Sequence, residues 1–106
     1  MPKFLVQASY TVEGTRGLLK DGGSARRKAV EELLTSLGGA LESFYFTFGG
    51  SDALLTIDVP SYETALAIAM TVRASGMVSS SMTALLPIED VDRAAKVPIH
   101  FKPPGT

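Results

Sequence analysis

The stretch FTFGGSDALLTI, residues 46–57, places two glycines, a serine and an aspartate between two strongly apolar runs. Glycine adopts positive φ angles at little cost, and a short glycine-containing connection between apolar runs is typical of a β-hairpin. The stretch therefore predicts strands over residues 41–48 and 53–59, joined by Gly49–Asp52. Two roles stay open for Asp52, because an aspartate can fix a turn by accepting backbone N–H groups or can serve chemistry at a sheet end.

The segments on either side of this hairpin repeat the order strand, helix, strand. Alternating apolar residues predict strands over 4–10 and 77–86, and apolar residues three or four apart predict helices over 25–37 and 62–74. Ser24 and Ser61 are the expected N-caps of those helices. The pattern also favours a helical turn over 15–19 and a short helix over 89–95. The order β-α-β-β-α-β predicts an α+β, ferredoxin-like fold, with a four-stranded antiparallel sheet and helices on one face.

Alternation within the predicted strands gives the sheet two unlike faces. One face is almost purely apolar and suits two amphipathic helices; it comprises Phe4, Val6, Ala8, Phe44, Phe46, Phe48, Leu55, Ile57, Val59, Met82, Ala84 and Leu86. The other is small and rich in hydroxyls, with almost no long charged side chains; it comprises Gln7, Ser9, Ser43, Tyr45, Thr47, Leu54, Thr56, Asp58, Ser79, Ser81 and Thr83. Two interpretations follow: a solvated Ser/Thr-rich face, or a face that a second subunit covers, leaving a wet and partly polar cavity between two sheets.

Composition narrows the class of protein. The chain has 106 residues, of which 45% are hydrophobic and 20% charged, which predicts one globular domain over residues 1–95 and a proline-rich tail over 96–106. Its net charge of -1 gives no general attraction to nucleic acid or to an anionic membrane. The absence of cysteine predicts no disulfide framework and no thiolate metal site, and the single histidine argues against a zinc site. Neither a metal nor a cofactor is expected. No apolar run has the length of a signal peptide or of a membrane helix, so a cytoplasmic protein is expected.

Four stretches carry a resemblance to a known family. PKFLVQASYTVEGTRGL, LTSLGGAL, ESFYFTFGGSDALLTIDVPS and TALLPIED together resemble the GYD-domain family of small bacterial proteins over residues 2–91. The family is named for a Gly-Tyr-Asp signature; Gly49 and Asp52 match it, and Ser51 stands where tyrosine is expected. Serine lacks the large amphipathic surface and titratable hydroxyl of a phenol. The resemblance implies a dimeric α/β barrel in which two sheets face one another, and it carries no established activity.

Three hypotheses about function remain open. The first is a homo-oligomer, at least a dimer, that binds a small organic molecule between its sheet faces. Its predicted cavity is lined by Gln7, Ser9, Tyr45, Thr47, Ser79 and Ser81, with Asp52 at the mouth. The second is a cofactor-free oxygenase or isomerase acting on an aromatic or enolisable substrate, with Asp52 or His100 as the base. The third is a structural or regulatory interaction module without a ligand.

Three consecutive cations open the first long helix, at the end where the helix dipole disfavours positive charge. Arg26, Arg27 and Lys28 are interpreted as a solvated face, or as partners for Glu89, Asp90 or Asp92 of the same or another subunit. The surrounding GGSARRK lacks the lysine-hydroxyl ending of a phosphate-binding P-loop. Arg16, in the connection after the first strand, is a candidate anion clamp. The serines at 79–81 have no histidine-acid pair at a suitable spacing, so a serine hydrolase is not predicted.

Overall fold

The computed structural model describes residues 1–106 and contains four strands and four helices. In chain order these are β1 Lys3–Tyr10, α1 Val12–Asp21, α2 Gly23–Ser36, β2 Ala40–Phe46, β3 Ala53–Asp58, α3 Tyr62–Ala74, β4 Val78–Leu85 and α4 Ile88–Ala94. The sheet order is β2-β3-β1-β4, and every neighbouring pair is antiparallel. The predicted α+β architecture with a four-stranded antiparallel sheet is confirmed, and its strand order is consistent with the ferredoxin-like fold.

The core lies between the sheet and two helices, α2 and α3. Ten residues are buried, all of them hydrophobic: Phe4, Val6, Ala8, Leu34, Ala53, Leu55, Ile57, Val59, Ala65 and Val78. The alternation therefore predicted the helix-facing side of β1 and β3 correctly. The ends of this face were predicted less well. Phe48, Ala84 and Leu86 are exposed because the first lies beyond β2 and the other two lie at or beyond the end of β4.

Helix α3 has the predicted boundaries, whereas α2 does not. The hydroxyl of Ser61 accepts a hydrogen bond from the Thr64 amide at 3.1 Å and caps α3 as expected. The N-cap of α2 is Gly22, with φ of 83° and no side-chain cap, so the prediction of Ser24 was wrong. Gly22 also ends α1, since its N–H donates to Leu18 O at 2.8 Å. One glycine thus separates two helices, and α2 begins before the serine is reached.

The predicted turn over residues 15–19 is a complete helix, α1. Thr11 caps it by accepting a hydrogen bond from the Gly14 amide at 3.2 Å. Gly14 and Gly17 lower the helix propensity of this segment, which is why its sequence does not predict a full helix. Glycine is required at position 14 for a structural reason: a Cβ there would lie 2.2 Å from the backbone oxygen of Met77. The residue allows α1 to pack closely against the segment that enters β4.

The connection between β2 and β3 is longer than predicted, because β2 ends at Phe46. The loop closes through the Thr47 amide, which donates to Asp52 O at 2.8 Å, and the Thr47 hydroxyl, which donates to Ser51 O at 2.5 Å. Gly49 has a positive φ of 150°, as the glycine-rich sequence predicts. The paired residues Thr47 and Asp52 therefore hold a hairpin whose tip is glycine and serine.

A β-bulge in β2 changes the charge on the second face of the sheet. Leu41 pairs with Ile57 and Ser43 with Thr56, which leaves Glu42 as the extra residue. Glu42 forms an ion pair with Lys3, and Lys3 Nζ lies 3.6 Å from a carboxylate oxygen of Asp58. The expectation of a face with almost no long charged side chains is thus wrong at this end, while the rest of the face is uncharged.

The C-terminal segment projects from the domain. The radius of gyration is 17.3 Å, against about 13 Å for a compact domain of this length. The excess follows from α4 and the tail, where the apolar side chains of Ile88, Val91, Val97, Ile99 and Phe101 are all exposed. None of the four helices combines the length and the apolarity that a membrane crossing requires.

Candidate functional site

The strand registers bring most of the predicted cavity residues together on the sheet face opposite α2 and α3, here called the open face. Tyr45 pairs with Leu54, Leu54 with Gln7, and Gln7 with Ser81, which forms one row across all four strands. Ser9 pairs with Ser79 in the adjacent row. The open face therefore has a phenol, an aliphatic group, an amide and hydroxyls at its centre, within one side-chain layer.

The open face is not covered by any element of the chain. Gln7, Ser79 and Ser81 are exposed, and the side chain of Tyr45 is 69% exposed. The hydroxyls of Ser43 and Thr56 lie 2.6 Å apart and bond to each other across β2 and β3. Because this pair is satisfied locally, the polar groups left for another molecule lie around the row of Tyr45 and Gln7.

Asp52 lies at the end of the sheet where β1 and β2 finish. Its carboxylate Oδ2 accepts a hydrogen bond from the Tyr10 amide at 2.8 Å, and its own amide donates to Ala8 O at 2.8 Å. The side chain thus extends the β1–β3 ladder by one bond beyond the last backbone pair. This is the contact that the turn-fixing interpretation of Asp52 describes.

His100 lies in the exposed tail and makes no hydrogen bond. The chain reaches the tail through α4, which follows the end of β4 that pairs with Lys3. Asp52 lies at the opposite end of the sheet. The contacts within one chain therefore do not bring the two candidate bases to a common point.

The serine run in β4 is divided between the two faces. Ser79 and Ser81 lie on the open face, whereas Ser80 lies on the helix side beside Val78 and Met82. None of the three has a hydrogen bond to a histidine or an acid. No group of three His, Cys, Asp or Glu side chains is arranged to hold a metal ion.

The basic run at the start of α2 does not pair with α4 within the chain. Arg27 bonds to Glu31 one turn later at 2.9 Å, and Asp90 pairs with Arg93 of its own helix. Arg26 differs from its neighbours: its guanidinium carbon lies 6.0 Å from the centre of the Tyr10 ring, and it has no ion-pair partner. Arg16 is exposed and likewise unpaired.

The ion cluster of Lys3, Glu42 and Asp58 was not predicted from the sequence. A hydrogen bond to Glu42 raises the pKa of Lys3, and the nearby charges of Glu42 and Asp58 act in the same direction. Simple alternation along β2 would place Glu42 on the helix side with Phe44 and Phe46. Only the bulge reverses that orientation, and no residue type in the segment signals a bulge.

Comparison with curated proteins and with solved structures finds no significant match. A family model described as the GYD domain matches residues 4–95, which include nearly all of the four strands and all four helices. This chain therefore belongs to the GYD-domain family.

Proposed function

We propose that the protein forms a homo-oligomer, at least a dimer, in which two open faces oppose one another and enclose a small organic molecule. The observation that carries this proposal is an entire sheet face left uncovered by its own chain. Its central row combines Leu54 with Tyr45, Gln7 and Ser81. Two such faces enclose a cavity with hydrogen-bonding groups and apolar surface, as small-molecule sites commonly have.

The open face alone is smaller than a stable interface, which supports a contribution of the C-terminal segment to the proposed contact between subunits. Four strands of six to eight residues, spaced about 4.8 Å apart with a rise of about 3.3 Å per residue, give a footprint of roughly 450 Å². A stable interface buries about 800 Å² per partner. The projecting residues 88–101 carry exposed apolar side chains that would supply much of the difference against a second copy.

One oxygen of the Asp52 carboxylate is already engaged. Oδ2 accepts the Tyr10 amide, so a general base at this position would have to act through Oδ1. The enzyme hypothesis therefore requires that Oδ1 of Asp52, or His100 of a partner subunit, reach a substrate on the open face. The interaction-module hypothesis differs in requiring that two open faces pack without a cavity. The cytoplasmic location expected from the sequence stays a prediction.

Native mass spectrometry of the protein isolated from its host tests this proposal. We expect a dimer or a larger assembly that releases a small organic molecule on activation. Ser81→Arg places a charge at the centre of the open face, and Ser24→Arg is its control because it adds the same charge on α2, away from that face. Only Ser81→Arg should yield monomer and lose the ligand. A monomeric wild-type protein would contradict the proposal, and a ligand-free dimer would favour the interaction module.

A further inference from the structure

A cleft lies between α2 and α3, on the side of the sheet opposite the open face. α2 packs over β2 and α3 over β4, so the backbones of the two helices stay apart. The central strands β1 and β3 form the floor of the cleft, with Val6 and Leu55, while Val30 and Ile68 form its walls. Thirteen of the fifteen lining residues are hydrophobic.

The cleft has a free volume of about 70 Å³. One water molecule needs roughly 10–15 Å³ and two or more polar partners, so the space exceeds one water several times over. Arg26 and Ser80 are its only non-hydrophobic lining residues. Water in the cleft would therefore be poorly bonded, and a short aliphatic chain or a single ring would displace it favourably.

Arg26 supplies the one charge at this cleft. Its side chain is half-buried, and its Nε–H is shielded from solvent without any hydrogen-bond acceptor. The first turn of α2 contains no acidic residue, and no carboxylate lies within ion-pair distance of the guanidinium. A shielded guanidinium donor without an acceptor is costly, and a carboxylate is the group that its planar donors fit best.

We propose that this cleft binds a small apolar carboxylate, a short fatty acid or a single-ring aromatic acid, with its carboxylate on Arg26 and its apolar part between α2 and α3. Charge complementarity selects the acid, and the apolar walls select its tail. The ring of Tyr10, beneath the guanidinium, keeps Arg26 in place through a cation–π contact. The site is separate from the open face and needs no second subunit, so it does not rest on the proposed oligomer.

The test uses octanoate as the probe and the uncharged 1-octanol as its matched control. In methyl-labelled protein, we expect octanoate to shift the methyl signals of Val30, Ile68 and Val72 while Leu5 and Leu54, on the open face, stay unchanged. Octanol should bind at least about tenfold more weakly, the factor that 1.4 kcal/mol corresponds to at 25 °C. The absence of any shift at octanoate concentrations up to about 1 mM would overturn the proposal. A Kd of about 1 mM corresponds to a binding free energy of about -4 kcal/mol.

Two arginine variants separate the carboxylate contact from general surface charge. Arg26→Gln should weaken octanoate about tenfold and leave octanol unchanged. Arg27→Gln should alter neither, because Arg27 is exposed and paired with Glu31. Equal losses in the two variants would overturn the role of Arg26.

A third variant, Val72→Phe, fills the cleft and should abolish the binding of both probes. The thermal unfolding temperature of each variant confirms that it is folded before the affinities are compared. Octanoate shifts confined to Leu5 and Leu54 would assign the acid to the open face and overturn this site, while leaving the proposed function intact. Retention of octanoate by a folded Val72→Phe would overturn it as well.

Discussion

At the residue scale, Asp52 shows how one side chain can complete a β-ladder. The carboxylate takes the place of a backbone carbonyl for the Tyr10 amide, and the Asp52 amide bonds back to Ala8. The chain can therefore leave β1 for α1 without leaving the partly buried Tyr10 N–H unsatisfied. In this protein, the aspartate that matches the family signature has a defined structural task, independent of Ser51.

Substitutions of Asp52 test that task. Asp52→Ala removes the acceptor of the Tyr10 amide and should lower the free energy of unfolding by about 1–3 kcal/mol. Asp52→Asn keeps a carbonyl oxygen in the same place and should cost less than about 1 kcal/mol. Urea denaturation measures both values, and hydrogen exchange at the Tyr10 amide should accelerate only in the alanine variant. If asparagine proves as destabilising as alanine, the negative charge and not the hydrogen bond is what the fold requires.

At the element scale, α1 and β2 mark where sequence patterns lose their predictive power. Helix α3 was predicted to the residue because Ser61 and Gly76 bound a run that contains neither glycine nor proline. The sequence predicts only a turn where α1 lies, because the two glycines of this segment weaken its helical pattern. In the folded protein, tertiary contact stabilises the full helix. The bulge at Glu42 leaves no local signal, since it depends on how β2 meets β3.

The two glycines of α1 differ in what surrounds them, so their alanine variants form a matched pair. Gly14→Ala places a Cβ 2.2 Å from Met77 O and should lower the free energy of unfolding by roughly 1–3 kcal/mol. At Gly17 a Cβ would have no other atom within 4 Å, so Gly17→Ala should stabilise by up to about 1 kcal/mol through helix propensity. Thermal or urea unfolding of the two variants decides the matter. Similar values of either sign would contradict the close approach of α1 to β4.

The open face could be predicted from the sequence and the cleft could not, because the first depends on alternation along the strands and the second on tertiary packing. The open face follows from strict alternation in β1, β3 and β4, so Gln7 and Ser81 were placed correctly on one face. The cleft does not follow from alternation, because it depends on the spacing of two helices along the sheet. Arg26 was grouped with Arg27 and Lys28 for that reason, and only the tertiary structure distinguishes it.

At the scale of the whole molecule, the elongated shape separates a packed domain from a projecting tail. The hydrogen bonds of residues 96–106 are local: Lys96 and Val97 donate to the last turn of α4, and Thr106 bonds to Pro103. Three apolar side chains of the tail, Val97, Ile99 and Phe101, are more than half exposed. Such a segment contributes little to the stability of its own domain and is suited to contact a second copy.

Deletion of residues 96–106 tests the role of the tail. As a monomer, the truncated chain should unfold at the same temperature as the full-length monomer, since the tail buries no apolar side chain against the domain. The oligomer proposed above should dissociate at least about tenfold more readily in the truncated chain, as loss of a modest apolar contact of about 1.4 kcal/mol implies. Sedimentation velocity over a range of concentrations measures this change. The full-length variant with serine at positions 97, 99 and 101 is the control for chain length and should behave like the truncation.

The position of β1 has a consequence for how the chain folds. This first strand lies between β3 and β4, so Lys3 has Asp58 on one side and Leu85 on the other. On a ribosome, β1 emerges before β3 and β4. Its pairing with both neighbours can be completed only when nearly the whole domain has been synthesised. Contacts so distant along the chain slow folding, because loop closure must precede the gain from pairing. The apolar segment Phe4–Ala8 therefore keeps one unpaired edge until β4 has been synthesised, even after β3 is available to pair with the other edge.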